Sequence, residues 1–166
     1  MNVSDVLNEA LGRLPDLVRA AVEDLTPDQL CWAPAAGANP VGWLVWHLTR
    51  VQDGHVADLL GAEQVYVTGN WAARFGRKPD PDDTGYGHTA ADVAAVRPEN
   101  GQALIDYYTA VHERTRDYLA GLEPGDLDRV VDRRWDPPVT LGVRLVSVID
   151  DDVQHAGQAA YVRGLL

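Results

Sequence analysis

Apolar residues recur at helical spacing along four stretches of the chain. The first runs from about Val3 to Asp24, with Val3, Val6, Leu7, Ala10, Leu11, Leu14, Leu17, Val18, Ala21 and Val22 on one stripe, the pattern of an amphipathic helix. Ser4 is placed to cap it, and Pro15 is an interior flaw that predicts a kink. Thr26-Pro27-Asp28-Gln29-Leu30 reads as a single capped turn with proline at its first position. Asn39 predicts the cap of a second helix, with Pro40 as its first residue, running to about Leu60 before Gly61. A third extends from about Glu99 to Ala120, where Leu104, Ile105, Tyr108, Val111, His112, Thr115 and Leu119 keep the spacing and Gly121 ends it. Thr140 then caps a fourth, which continues through about Arg163 before Gly164. Strand signals are nearly absent. The expected fold is all-α: a four-helix bundle formed by residues 1–166 as one domain.

The connections are less regular. In residues 62–97, Gly69, Gly76, Pro79, Pro81, Gly85 and Gly87 interrupt any long element. Thr89 to Val96 predicts a short helix, with Thr89 and Asp92 forming a capping box. A connection this long between helices two and three is expected to be functional or mobile. It holds Tyr66, Trp71, Phe75 and Tyr86 among Arg74, Arg77 and Lys78. One reading is a flap that meets an anionic group; the commoner one is a loop packing its aromatics onto the bundle. Leu127 to Trp135 reads as irregular or briefly extended, Pro137-Pro138 forbids helix, and Trp135 is expected to pack on a bundle end.

Composition narrows the partners. The net charge is −11 over 166 residues, and such a surface repels nucleic acid and anionic lipid, so neither is expected as a partner. No apolar run approaches the ~18–20 residues that span a bilayer. The N-terminus, with Asp5 and Glu9, does not resemble a signal peptide. The lone Cys31 excludes an internal disulfide, is expected to be a buried inert thiol, and fits a reducing cytoplasm. Apolar surface left over on helices one and three would suit a homodimer.

The chemistry-bearing residues lie on helices two and four. Four residues turn a helix through about 400°, so Asp151 and His155 share a face one turn apart. Asp152, three residues before His155, is a substitute. His47 lies among Trp43, Leu44 and Val51 on an apolar surface, where an imidazole needs a partner for each ring nitrogen. A cation on one side and a second acceptor on the other would satisfy it. Two histidines and one carboxylate would leave a coordination position open for a ligand, and such N/O donors suit Zn, Ni, Fe or Mn. Spacing alone favours a surface ion pair for Asp151–His155 and a satisfied core histidine for His47. Asp53, about 120° from His47 around the helix, reads as supporting or surface. His55, some ~12 Å along the axis, is not read as a ligand. His112 reads as a core or boundary residue, His88 has no partner spacing, and Arg144 and Arg163 read as surface or ion-pair residues.

Resemblance changes the weighting. Leu30-Cys-Trp-Ala-Pro-Ala-Ala-Gly-Ala-Asn-Pro-Val-Gly-Trp-Leu-Val-Trp-His-Leu48 resembles the segment that leads into helix two of the DinB-like superfamily. Pro138 to Gln158, ending Asp-Asp-Asp-Val-Gln-His-Ala-Gly-Gln, resembles that superfamily's last bundle helix. The likeness covers nearly the whole chain and is nearest the actinobacterial branch related to mycothiol-dependent maleylpyruvate isomerase and thiol transferases. It implies a four-helix bundle holding a divalent metal, often Zn or Ni, on His47, Asp151 and His155; many members carry histidine where this chain has Asp151. It further implies thiol transfer or isomerisation with a mycothiol-like small-molecule thiol and an electrophilic substrate. Hydrolysis by activated water, with Asp152, Asp53 or His55 as base, is the alternative within chemistry. A stress-related binding protein with a vestigial metal site is the alternative outside it.

Overall fold

The computed structural model describes residues 1–166. The first apolar stripe forms two helices, α1 (Val3–Leu11) and α2 (Leu14–Val22), rather than one kinked helix. The break falls at Gly12-Arg13, so Pro15 sits in the first turn of α2, where its missing N–H leaves no hydrogen bond unmade. Asn2, not Ser4, caps α1 in a box closed by Asp5; the Ser4 hydroxyl instead donates to the Leu119 carbonyl. The Thr26 box with Gln29 sets the single turn α3 (Pro27–Leu30).

Helix α4 (Val41–Leu60) begins one residue later than expected, with Pro40 in extended conformation at the cap and no side-chain cap from Asn39. Every residue from Val41 to Arg50 is buried. The N-terminus of α4 approaches α3 so closely that a Cβ on Gly42 would lie 2.8 Å from the Leu30 carbonyl oxygen. Gly61 ends α4 in the left-handed region, φ 61°.

The connection after α4 contains the single turns α5 (Val65–Thr68) and α6 (Trp71–Arg74), a loop, and α7 (Ala90–Ala95), which carries the expected Thr89–Asp92 box. Tyr66, Trp71 and Phe75 gather around Tyr107, with centroids 5.5–5.8 Å away. Helix α8 (Gly101–Ala120) is capped by Asn100 rather than starting at Glu99. A short 3-10 turn, Pro124–Asp128, leads to a two-stranded antiparallel ribbon, β1 (Val130–Asp132) and β2 (Val139–Thr140), which the sequence reading left as irregular chain. Trp135, at its tip, is 65% exposed and does not pack on the bundle. Thr140 caps α9 (Leu141–Arg163), as its sequence predicts.

The first pair α1/α2 with α4, α8 and α9 enclose one core of buried aliphatic and aromatic side chains, with α4 and α9 packed most extensively together. This is the predicted all-α bundle. The large apolar side chains left exposed on the bundle helices are Val6 of α1 and Leu17 of α2, as expected for the first helix, Leu60 of α4, and Val143, Val146, Val153 and Tyr161 of α9, with none on α8. No helix is long and apolar enough to cross a membrane. Arg163 is neither free nor ion-paired: it donates to the Ala21 and Glu23 carbonyls at the end of α2.

Candidate metal centre

The packing of α4 against α9 brings His47, Asp151 and His155 together, with one donor atom from each lying within 4.8 Å of the others. The two imidazole centroids are 4.8 Å apart. Asp151 Oδ1 stands 3.5 Å from His155 Nε2, the one-turn relation that their spacing predicts.

Each imidazole is held from behind. His47 Nδ1 donates to the Thr84 carbonyl at 2.5 Å, a tautomer that leaves the Nε2 lone pair free. His155 Nδ1 meets Gln158 Oε1 at 3.0 Å, so Nε2 is free there too. Trp43 stacks on His47 at 4.6 Å and meets His155 edge-on at 6.4 Å. An oxygen acceptor behind the Nδ1–H of each ring is how ligating histidines are oriented.

The electrostatics differ between the rings. Burial is the main reason the His47 pKa falls, with the Thr84 hydrogen bond opposing it. The nearby Asp151 carboxylate is the main reason the His155 pKa rises. Asp151 Oδ2 is buried without a hydrogen-bond partner. An unpartnered carboxylate oxygen beside two imidazoles with free lone pairs is a donor set that fits a divalent cation.

The Thr84 carbonyl depends on Arg50, which sequence reasoning did not single out. Arg50 is fully buried, donates to the carbonyls of Asp80, Pro81 and Asp83, and lies 4.0 Å above the Tyr66 ring. It also pairs with Asp53 at 3.5 Å. Asp53 accepts from the backbone N–H groups of Val65 and Tyr66 and from the Tyr107 hydroxyl, so it anchors α5 and does not support the histidines. Gly85, at φ 94°, is pressed against the site: a Cβ there would lie 2.6 Å from His47 Nδ1. The available signals were a charged residue inside a helix with no polar face, and a loop rich in Gly, Pro and Asp.

Other candidates are placed elsewhere. Asp152 faces the bundle interior, wholly buried with neither oxygen hydrogen-bonded, and burial pushes its carboxyl well above the usual range. It is therefore no substitute for Asp151. His88 Nδ1 accepts from Trp43 Nε1, and its Nε2 donates to Asp83. Buried His112 stacks on Tyr108. Arg77 is engaged by Asp83, and Arg74 by Glu99 and Asp106; within residues 62–97 the aromatic-packing reading holds for Tyr66, Trp71 and Phe75 but not for Tyr86, which is exposed. Cys31 is half-buried rather than buried, and partial burial pushes its thiol up.

A cavity of about 440 Å³ opens beside the centre, walled by His47, Asp151, His55 and Asp58, and by Pro81, Thr84 and Tyr86 of the connecting loop. Tyr86 is 93% exposed at its rim.

Comparison with known proteins agrees with this architecture. The crystal structure of a conserved protein from Enterococcus faecalis superposes with a TM-score of 0.91 at 34% identity, over 99% of this chain and 97% of that one. No curated protein matches. The model of the DinB superfamily matches residues 10–159, a span that contains all three residues of the centre. The chain belongs to the DinB superfamily.

Proposed function

We propose that the protein is a metal-dependent enzyme that uses a low-molecular-weight thiol of the mycothiol type in S-transfer or isomerisation. The observation that carries the reading is the His47–Asp151–His155 cluster with one side open to a cavity of about 440 Å³. Three N/O donors leave room for a ligand, and zinc suits them, with nickel, iron or manganese as alternatives. A divalent cation held there supplies Lewis acidity, which favours the thiolate of a bound thiol.

The chain's own contribution is positional. Thr84 and Gln158 fix the rings with their lone pairs inward. Trp43 covers one face of His47, and the loop around Thr84 and Tyr86 walls the space in which thiol and electrophile would meet. Cys31 takes no part, since it lines a separate cavity beside residues 33–40.

Hydrolysis is less well supported, because it needs a base facing the cavity. Asp53 is saturated by hydrogen bonds and Asp152 is enclosed in the core. His55 is at the wall, but its ring edge is taken by Arg144 Nη1 at 2.9 Å. A vestigial site is disfavoured by the support built behind both imidazoles.

The test is thiol consumption by metal-loaded protein with a chromogenic electrophile. Turnover lowered at least a hundredfold in His47→Ala is expected. Turnover no faster than the free metal ion, across a panel of thiols, would contradict the proposal.

A further inference from the structure

A second cavity, of about 330 Å³, lies between the end of α4, the β1–β2 ribbon and the start of α9. His55 and Asp58 belong to its wall and to that of the metal-centre cavity, so the two spaces adjoin. In a chain of net charge −11, its wall collects Arg129, Arg133, Arg134 and Arg144. Asp58 and Asp132 are its only acids, so the guanidinium groups outnumber the carboxylates by two.

The pairing shows which charges are free. Asp132 is buried and shared by Arg134 at 2.9 Å and Arg144 at 3.0 Å. Its carboxyl is held well below the usual range, chiefly by hydrogen bonds from Arg134, so it stays ionised and fixes both guanidinium groups. One carboxylate neutralises only one of them. Arg129 donates to the Tyr118 hydroxyl and forms no ion pair within 4 Å; Arg133 forms none either. His55 is kept neutral by burial and by the Arg144 charge, and so adds no cation.

Clustered guanidinium groups in excess of carboxylates are the recognition element for a planar or tetrahedral oxyanion. His47 and His55 are eight residues apart on one helix, which sets the arginines on the order of 12 Å from the metal centre. Asp58 at the junction confines negative charge to the arginine end. We propose that this cavity binds the carboxylate or phosphate group of a substrate or thiol whose reactive end reaches His47 and Asp151. The link to a reactive end rests on the metal-centre reading; the oxyanion site itself does not.

The experiment is calorimetric titration with inorganic phosphate and, separately, with succinate, of protein incubated with zinc salt and freed of excess metal. The proteins compared are the wild type, Arg144→Gln, the double variant Arg129→Gln/Arg133→Gln, and His47→Ala. Saturable 1:1 binding is expected, weakened at least tenfold in the arginine variants with metal content unchanged, and retained in His47→Ala. Binding of phosphate alone identifies a phosphate-bearing ligand, and binding of succinate alone a carboxylate. If Arg144→Gln fails to fold, the double variant decides, since both of its positions are exposed. No binding of either anion, or equal affinity in the arginine variants, overturns the proposal. Binding lost only in His47→Ala also overturns it, because the anion is then on the metal. Absence of metal from the wild type with anion binding intact would instead count against the metal centre alone.

Discussion

At the scale of single residues, the centre depends on groups that touch no ligand. Arg50 is wholly buried and ties three loop carbonyls, a tyrosine and Asp53 together. Arg50→Met leaves Asp53 buried without its cation and frees the 80–84 loop; loss of one partner from a buried pair costs about 3–5 kcal/mol. The expected outcome is a matching drop in urea-unfolding free energy together with weaker metal binding, and a change below ~1 kcal/mol would contradict the role. Asp152 acts in the opposite sense. Its folded-state pKa is raised by burial, while the unfolded carboxyl ionises near 3.9. Above that pH the unfolded chain has released a proton that the folded chain keeps, so stability declines as pH rises toward the folded pKa. In metal-free protein, Asp152→Asn should therefore be more stable than wild type at pH 8, with the advantage shrinking toward pH 4. Melting curves that keep a constant offset between the two pH values would refute this. Neither residue was legible in its role. Arg50 looked like one polar position in an apolar helix, and Asp152 differed from Asp151 only by the 100° between successive helical positions.

At the scale of elements, local chemistry wrote most of the boundaries. Gly61 and the Thr89 and Thr140 caps act through their own neighbours, and all three stand where the sequence predicts. Pro15 was misread because its preference for a first turn moved the helix start instead of bending one helix. The ribbon was missed because two- and three-residue strands carry too little alternation to be seen. Trp135 was misplaced because hydrophobicity alone does not tell a loop tip from a core contact. The connecting segment was recognised as unusual, but its contribution is the Thr84 carbonyl and the bare Cα of Gly85, which no side-chain motif announces. Gly85→Ala should displace either the loop or the His47 ring, since both occupy the space a Cβ needs. A loss of about 10–100-fold in metal affinity is expected, the usual penalty for disturbing a group that orients a ligand. Helix content by circular dichroism should stay unchanged. Wild-type affinity in the variant would mean that Thr84 does not position the ring.

At the scale of the whole molecule, the bundle was legible and the centre only half so. Helical periodicity gave four stretches and one core, because burial of apolar faces dictates both. The Asp151–His155 pair followed from rotation along a single helix. The approach of His47 to it did not, because crossing between α4 and α9 depends on the packing of the entire interface. The likeness to DinB-like proteins supplied that link, and the structure places the three side chains together. The bundle gathers four arginines around the cavity between ribbon and α9, while Arg74 and Arg77 of the long connection are engaged by internal ion pairs. Everything proposed for chemistry at the centre rests on a cation being held there. Elemental analysis of protein purified without chelators, beside His47→Ala and His155→Ala, measures this directly. One equivalent of a divalent transition metal in the wild type, absent from both folded variants, is the predicted result; metal retained in both variants, or none in the wild type after incubation with zinc and nickel salts, would contradict it.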